Sequence, residues 1–122
     1  MVSEQGAQIT VLLVEDSTDA RELFACLLEL NGLRVVGAAS AAEALAAGQK
    51  QAAIDVLLAD LHLPDGGGVE VAATLEQIHP AMRSLFMSGD SAAPPLGAGQ
   101  AFIRKPAGIA AILREIDSLL RS

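Results

Sequence analysis

Residues 57–68 read LLADLHLPDGGG, an apolar run that ends on a carboxylate and then enters a turn. The apolar run begins at Ile54 and is broken only by Asp55 before it reaches Asp60. Its length and Leu-rich character predict a buried strand over residues 54–60, and the proline and glycines of residues 64–68 predict a turn. A strand that ends in this way delivers an acid to one edge of a sheet.

Short strands and helices alternate on both sides of this stretch. The predicted strands cover residues 9–14, 33–38, 54–60, 83–87 and 102–104. Their largely apolar composition is typical of strands that are covered on both faces. Strand–helix alternation at this spacing predicts an α/β fold with a parallel sheet between two layers of helices.

Four helices are predicted between and after these strands. Ser17, Thr18 or Asp19 can cap the first, and Ser40 with Glu43 forms a capping box for the second. A third is expected over residues 69–78 and a fourth from residue 106. The residues expected to face the sheet follow helical periodicity: Ala20, Leu23, Phe24, Leu27, Leu28, Ala72, Leu75, Ile78, Ile109, Ile112, Leu113, Ile116, Leu119 and Leu120. Cys26 is expected in the core beside Leu27.

The segment GDSAAPPLGAGQA, residues 89–101, breaks the alternation. It is just long enough for a parallel crossover, but two prolines and three glycines argue against an ordinary helix. We therefore expect the helix before the last strand to be shortened or missing.

Composition limits the class of protein. The 122 residues fit one domain over 1–122, with residues 1–8 expected to be a disordered N-terminal segment. A net charge of −7 argues against direct nucleic-acid binding. The sequence has no signal-peptide pattern and no apolar stretch long enough to cross a membrane, and Cys26 is its only cysteine. These features predict a soluble, cytoplasmic domain.

Polar residues collect at the carboxyl ends of the predicted strands, where open parallel sheets bind ligands. Glu15 and Asp16 follow the first strand, Asp60 ends the third, Ser88 follows the fourth and Lys105 follows the fifth. Three clustered carboxylates need a compensating charge, and hard oxygen ligands suit Mg²⁺. A carboxylate can also be a nucleophile in phosphoryl transfer.

In this order and spacing, these residues resemble a response-regulator receiver domain of two-component phosphorelay signalling, from about residue 9 to residue 120. The resemblance implies a doubly wound, five-stranded parallel sheet of flavodoxin-like order 2-1-3-4-5. It also implies a signalling phosphoprotein that is not an enzyme on free metabolites and assists only its own phosphorylation and dephosphorylation. The implied partner is a sensor histidine kinase or a histidine phosphotransfer protein.

The resemblance assigns a role to each residue around the metal. Asp60 matches the phosphoacceptor, which also contacts Mg²⁺. Asp16 matches the direct metal ligand, and Glu15 matches the acid that holds the metal through water. His62 matches the position whose backbone carbonyl coordinates the metal. The side chains of His62 and His79 are themselves expected to be non-catalytic.

The resemblance extends to the switching residues. Ser88 matches the hydroxyl that moves toward the phosphoryl group, and Lys105 matches the lysine that pairs with the phosphoryl oxygens. Phe102 matches the aromatic switch position, and Pro106 matches the proline joined to that lysine by a cis peptide.

Three features depart from the family pattern. Phe102 lacks the hydroxyl of the more common tyrosine. The interval from Ser88 to Lys105 is short, as in receivers attached to hybrid histidine kinases, so we do not expect the usual dimer through the fourth helix, fifth strand and last helix. His62 and Asp90 flank the route to the phosphate, which predicts a dephosphorylation rate that changes with pH.

Two other functions compete with the phosphoacceptor. A degenerate receiver acting as a protein-interaction module should have lost acidic-pocket residues, and this sequence retains Glu15, Asp16 and Asp60. The second alternative is a flavodoxin-like cofactor binder or a small Mg²⁺-dependent phosphatase of the same topology. A flavin site should have a phosphate-binding loop after the first strand, where this sequence has two acids.

Overall fold

The computed structural model describes residues 7–90 and 92–122. The N-terminal expectation for residues 1–8 therefore falls largely outside the described residues. Of its last two positions, Gln8 makes a β-bridge and donates a side-chain hydrogen bond to the Gly32 carbonyl at 3.1 Å. Among the described residues, no helix has both the length and the apolar character needed to cross a membrane.

The central sheet consists of five parallel strands: β1 Thr10–Val14, β2 Arg34–Ala38, β3 Val56–Asp60, β6 Arg83–Ser88 and β7 Gln100–Arg104. The two short strands β4 His62–Leu63 and β5 Gly66–Gly67 form a separate hairpin. Their order is β2-β1-β3-β6-β7. Counting these five strands alone, this is the predicted order 2-1-3-4-5. The prediction of a doubly wound parallel sheet is confirmed.

The described helices are α1 Thr18–Leu30, α2 Ala41–Lys50, α3 Gly68–Glu76 and α4 Ile109–Arg121. Helix α1 is capped by Ser17, whose Oγ accepts a hydrogen bond from Ala20 N–H at 3.3 Å. Helix α4 begins three residues later than predicted, because Gly108 still has extended backbone and forms the N-cap of the helix.

Two apolar layers cover the two faces of the sheet. On one face Leu12, Leu57 and Phe86 pack against residues of α2 and α3 such as Ala44 and Leu75. On the other face, the alternate strand residues pack against α1 and α4: Val11, Leu13, Val56, Leu58, Leu85 and Met87. This alternation is why the strands appear uniformly apolar in the sequence.

No helix lies between β6 and β7 among the described residues of that segment, 89, 90 and 92–99. The prediction of a missing helix is therefore confirmed. The segment is mostly exposed and includes Leu96 with 44% of its surface exposed. Consequently the face of β7 that carries Phe102 is only half-buried.

Three predicted core positions are wrong. Cys26 is exposed, and Leu23 and Ile78 keep 58% and 46% of their surfaces exposed. Helix α1 buries only Leu28 fully, so its apolar stripe is wider than the surface that the sheet and α4 cover. Ile78 lies beyond the end of α3, in the turn that leads to β6.

The predicted turn over residues 64–68 contains more structure than expected. β4 His62–Leu63 and β5 Gly66–Gly67 form a short antiparallel hairpin between β3 and α3. Gly68 begins α3 directly beneath the end of β3, where a Cβ atom would collide with the Asp60 carbonyl oxygen. The glycine is therefore required by the close approach of the backbone.

Candidate functional site

The polar residues predicted at the strand ends lie together in the structure. They line a cavity of about 290 Å³ at the carboxyl edge of the sheet: Glu15, Asp16, Asp60, His62, Ser88 and Lys105. Met87, Gly89 and Asp90 complete the lining. The parallel sheet accounts for this placement, since β1, β3 and β6 are neighbours and end at the same edge.

Lys105 lies between the two buried acids of the site. Its Nζ is 2.6 Å from Asp60 Oδ1 and 3.0 Å from Glu15 Oε2. Glu15 and Asp60 are 3% and 6% exposed, while the Lys105 side chain is 31% exposed. The ammonium group therefore holds both carboxylates from the open side of the cavity. The peptide bond between Lys105 and Pro106 is cis.

The ionisation of Asp60 is strongly perturbed. Burial and the neighbouring Glu15 carboxylate raise the pKa of Asp60 from 3.8 to about 7, although Lys105 acts in the opposite direction. Burial alone would also raise the pKa of Glu15, but its hydrogen bonds with Asp60, Lys105 and the Ser17 N–H lower it. One ammonium group thus compensates the acids of the cavity only in part.

Three acids of the site are arranged to share a cation. Glu15, Asp16 and Asp60 each offer a carboxylate oxygen, and these ligand atoms lie within 4.8 Å of one another. Asp16 is exposed at the mouth, while the other two are buried. Carboxylate oxygens are the ligands that Mg²⁺ prefers, and its charge would relieve the repulsion that raises the pKa of Asp60. The donor set therefore fits Mg²⁺.

Ser88 lies at the end of β6, on the side of the cavity away from β1. Its Oγ donates a hydrogen bond to Asp90 Oδ1 at 3.2 Å and accepts one from the Asp90 N–H at 3.4 Å. The hydroxyl is thus paired with a neighbouring residue in this state. Asp90 was expected only as a flanking residue, and the structure gives it a direct contact with Ser88.

Phe102 lies apart from the residues that line the cavity. It is half-buried on β7, opposite Phe86 on β6, and packs on the core cluster that includes Phe86. The Arg104 guanidinium lies 5.8 Å from the centroid of its ring, within the range of a cation–π contact. The other residue expected to be non-catalytic, His79, is buried, and its Nε2 is 2.7 Å from the Gly48 carbonyl oxygen.

Two residues that support the site were missed by the sequence analysis. The Arg21 guanidinium donates to the Glu15 backbone carbonyl at 2.7 Å, and so steadies the end of β1. Asp65 accepts two hydrogen bonds from the start of α2. The spacing of Arg21 from Glu15 in the sequence did not indicate that the two residues are in contact. Asp65 stands in a turn motif, but its partners 24 and 23 residues away were not visible in the sequence.

The chain matches the family model described as the response regulator receiver domain over residues 11–117. It belongs to that family. A receiver domain is a signalling domain of two-component systems, rather than an enzyme in the usual sense. The resemblance inferred from the strand-end residues is therefore confirmed.

Similar proteins agree with this membership. The polar-differentiation response regulator DivK of Brucella ovis is 29% identical over 118 residues, covering 91% of this chain and 95% of DivK. The probable transcriptional regulatory protein TcrX of Mycobacterium tuberculosis is 28% identical over 121 residues, and the chain spans 51% of its length. A CheY-like response regulator receiver domain protein from Methanospirillum hungatei JF-1 superposes with a TM-score of 0.85 at 28% identity, covering 94% of this chain and 95% of that one.

Proposed function

We propose that this receiver domain accepts a phosphoryl group onto Asp60 from a phosphohistidine of a sensor histidine kinase or a histidine phosphotransfer protein. The observation that carries the proposal is the contact of Lys105 with Asp60 inside a cluster of three acids. Asp60 is the buried carboxylate at the centre of that cluster, and it has a cation beside it on the open side of the cavity.

The transfer forms one bond and breaks another. An oxygen of Asp60 attacks phosphorus, the phosphorus–nitrogen bond of the phosphohistidine breaks, and its electron pair stays on the imidazole nitrogen. Lys105 is placed to pair with the phosphoryl oxygens, since its Nζ already lies 2.6 Å from the acceptor carboxylate. Hydrolysis later restores Asp60: water attacks the same phosphorus, the bond from phosphorus to the Asp60 oxygen breaks, the electron pair returns to the carboxylate, and inorganic phosphate leaves.

Asp16, Asp60 and the His62 backbone carbonyl are the proposed direct ligands of Mg²⁺, and Glu15 would hold the ion through water. When bound, the ion neutralises charge that develops on the transferring phosphoryl group. Asp60 must be ionised to attack, and burial beside Glu15 holds it partly protonated near neutral pH. We therefore expect Asp60 to need the bound metal for full reactivity as a nucleophile.

Ser88 and Phe102 are the proposed switch. Ser88 would release its hydrogen bond to Asp90 and donate its hydroxyl hydrogen to a phosphoryl oxygen on Asp60. The half-buried Phe102 would then move into or out of the space beside β6 and β7, and so present a different surface to a partner. Because no helix lies between β6 and β7 in the described residues, we do not expect that surface to form the usual dimer.

The test is phosphorylation by a small phosphodonor in the presence of Mg²⁺, followed by intact-mass spectrometry. The wild-type chain should gain one phosphoryl group that hydroxylamine removes, and Asp60→Asn should gain none. Asp19→Asn is the matched control, since it removes an exposed acid of α1 outside the cluster. A wild-type chain that gains no adduct, and shows no Mg²⁺-dependent change, would support the alternative of a non-phosphorylated interaction module.

A further inference from the structure

We propose that Asp65 is a positioning residue, which fixes the loop that carries His62 by tying the tip of that loop to the N-terminus of α2. The inference rests on the proposed function, in which the His62 carbonyl is a metal ligand. It adds a residue that touches neither the metal nor the phosphoryl group.

The base of this loop is anchored to the sheet. The Leu61 N–H donates to the Met87 carbonyl at 2.9 Å, and the Gly68 N–H donates to the Leu61 carbonyl at 3.1 Å. Above this base, His62 pairs with Gly67 in the short antiparallel hairpin. A two-stranded hairpin of this size is not stable on its own. Its tip therefore needs a second support.

Asp65 supplies that support at the turn of the hairpin. Its Oδ1 accepts a hydrogen bond from the Ala41 N–H at 2.7 Å, and its Oδ2 accepts one from the Ala42 N–H at 3.0 Å. Two charge-assisted bonds to one carboxylate fix its orientation as well as its distance. These two N–H groups also lower the pKa of Asp65, so the carboxylate stays ionised.

Helix α2 has its own cap and does not depend on Asp65 to begin. The Ser40 Oγ accepts a hydrogen bond from the Glu43 N–H at 3.1 Å, and Glu43 Oε1 accepts one from the Ala39 N–H at 3.1 Å. Both hydrogen bonds are local to the start of the helix. The contact of Asp65 is different, since it joins two elements separated by 24 residues.

The same helix is also held near its other end. His79, just after α3, contacts the Gly48 carbonyl through Nε2 at 2.7 Å, and both residues are buried. Helix α2 is thus tied to the chain on both sides of α3, by Asp65 before it and by His79 after it. It provides a fixed body against which the hairpin can be oriented.

Replacement of Asp65 should therefore displace the hairpin more than it displaces strand β3. Asp60 is held by the ladder between β3 and β6, but His62 lies three residues from the tip. If the tip is released, the proposed carbonyl ligand loses its orientation while the carboxylate ligands remain in place. The expected result is weaker metal binding by a folded protein.

The experiment compares Asp65→Ala and Asp65→Asn with Ser40→Ala by NMR titration with Mg²⁺ alone. Asp65→Ala should weaken Mg²⁺ binding by about 10-fold, as residues that orient metal ligands commonly do. Asp65→Asn retains one acceptor oxygen and should fall between this variant and the wild type. Ser40→Ala weakens the cap of the same helix without touching the hairpin, and should keep the wild-type affinity.

Amide hydrogen exchange without Mg²⁺ gives a second measurement. The Gly68 amide and the hairpin amides should exchange faster in Asp65→Ala, while those of β1 should not change. Folded Asp65 variants that bind Mg²⁺ like the wild type would overturn the proposal alone, as would an equal loss of affinity in Ser40→Ala. A wild-type chain that binds no Mg²⁺ would overturn the proposed function with it. If Asp65→Ala does not fold, Asp65→Asn alone decides.

Discussion

Asp60 is a single side chain on which folding stability and reactivity make opposite demands. Its pKa is about 7 in the folded chain and 3.8 for the ordinary side chain. Between these values the folded chain keeps a proton that the unfolded chain has lost. The contribution of this group to stability is therefore complete below the lower value and declines as the pH rises through the window to about 7.

The pH range between 3.8 and about 7 leads to a prediction for the substitution of Asp60. In buffer without Mg²⁺, Asp60→Asn should increase the free energy of unfolding more at about pH 8 than at about pH 5, because only the wild type must then bury an ionised carboxylate. Urea denaturation of both proteins at the two pH values measures the difference. Adding Mg²⁺ should reduce the difference in free energy of unfolding between the two proteins at the higher pH. A difference that does not depend on pH would contradict the raised pKa of Asp60.

Gly68 is a second position where a single added atom is expected to destabilise the fold. A Cβ at this residue would meet the Asp60 carbonyl oxygen, which is backbone and cannot rotate away. Gly68→Ala should therefore destabilise the fold by about 1–3 kcal/mol and displace Asp60, the proposed phosphoacceptor. Gly108→Ala is the matched control, because nothing lies within 4 Å of a Cβ at that position. Equal unfolding midpoints for the two variants would refute the steric argument.

Among the elements, helix α1 shows that a side chain in an apolar sequence pattern is not always buried. Leu23 and Leu28 belong to the same apolar stripe, but Leu28 is fully buried and Leu23 is 58% exposed. Leu28→Ala should cost about 2–5 kcal/mol, and Leu23→Ala should change stability by no more than about 0.5 kcal/mol. Chemical denaturation measures both values. Similar losses in the two variants would mean that Leu23 is buried in solution.

The same comparison shows what the sequence could predict. The parallel sheet and the assembly of Glu15, Asp60 and Lys105 at one edge follow from local pattern and from the rules of parallel sheets. The strand order came from the family resemblance. The exposure of Leu23 does not, because periodicity identifies an apolar face without saying how much of that face a neighbour covers. The contact of Asp65 with α2 was also missed, since a turn residue carries no sign of its distant partner.

The whole molecule carries a net charge of −7, and part of that charge is concentrated in the acidic cavity. A cation that binds only the folded state stabilises it by mass action, by about 2.7 kcal/mol at a concentration 100 times its dissociation constant. Mg²⁺ should therefore raise the unfolding temperature of the wild type. Asp16→Asn should remove most of this effect, while Asp19→Asn should keep it. A rise that NaCl reproduces at equal ionic strength would indicate screening alone.

The distance along the chain between Lys105 and Glu15 has a consequence for the order of folding. The pair spans 90 residues. Strand β1 lies between β2 and β3, so the acids of its carboxyl end are gathered once the first three strands have assembled. The lysine arrives only when β7 docks on β6, and such long-range closure is slow. Until then the growing sheet carries uncompensated like charges. We therefore expect docking of β7 to be the late step, and its rate to decrease with salt, because salt screens the attraction between Lys105 and the acids.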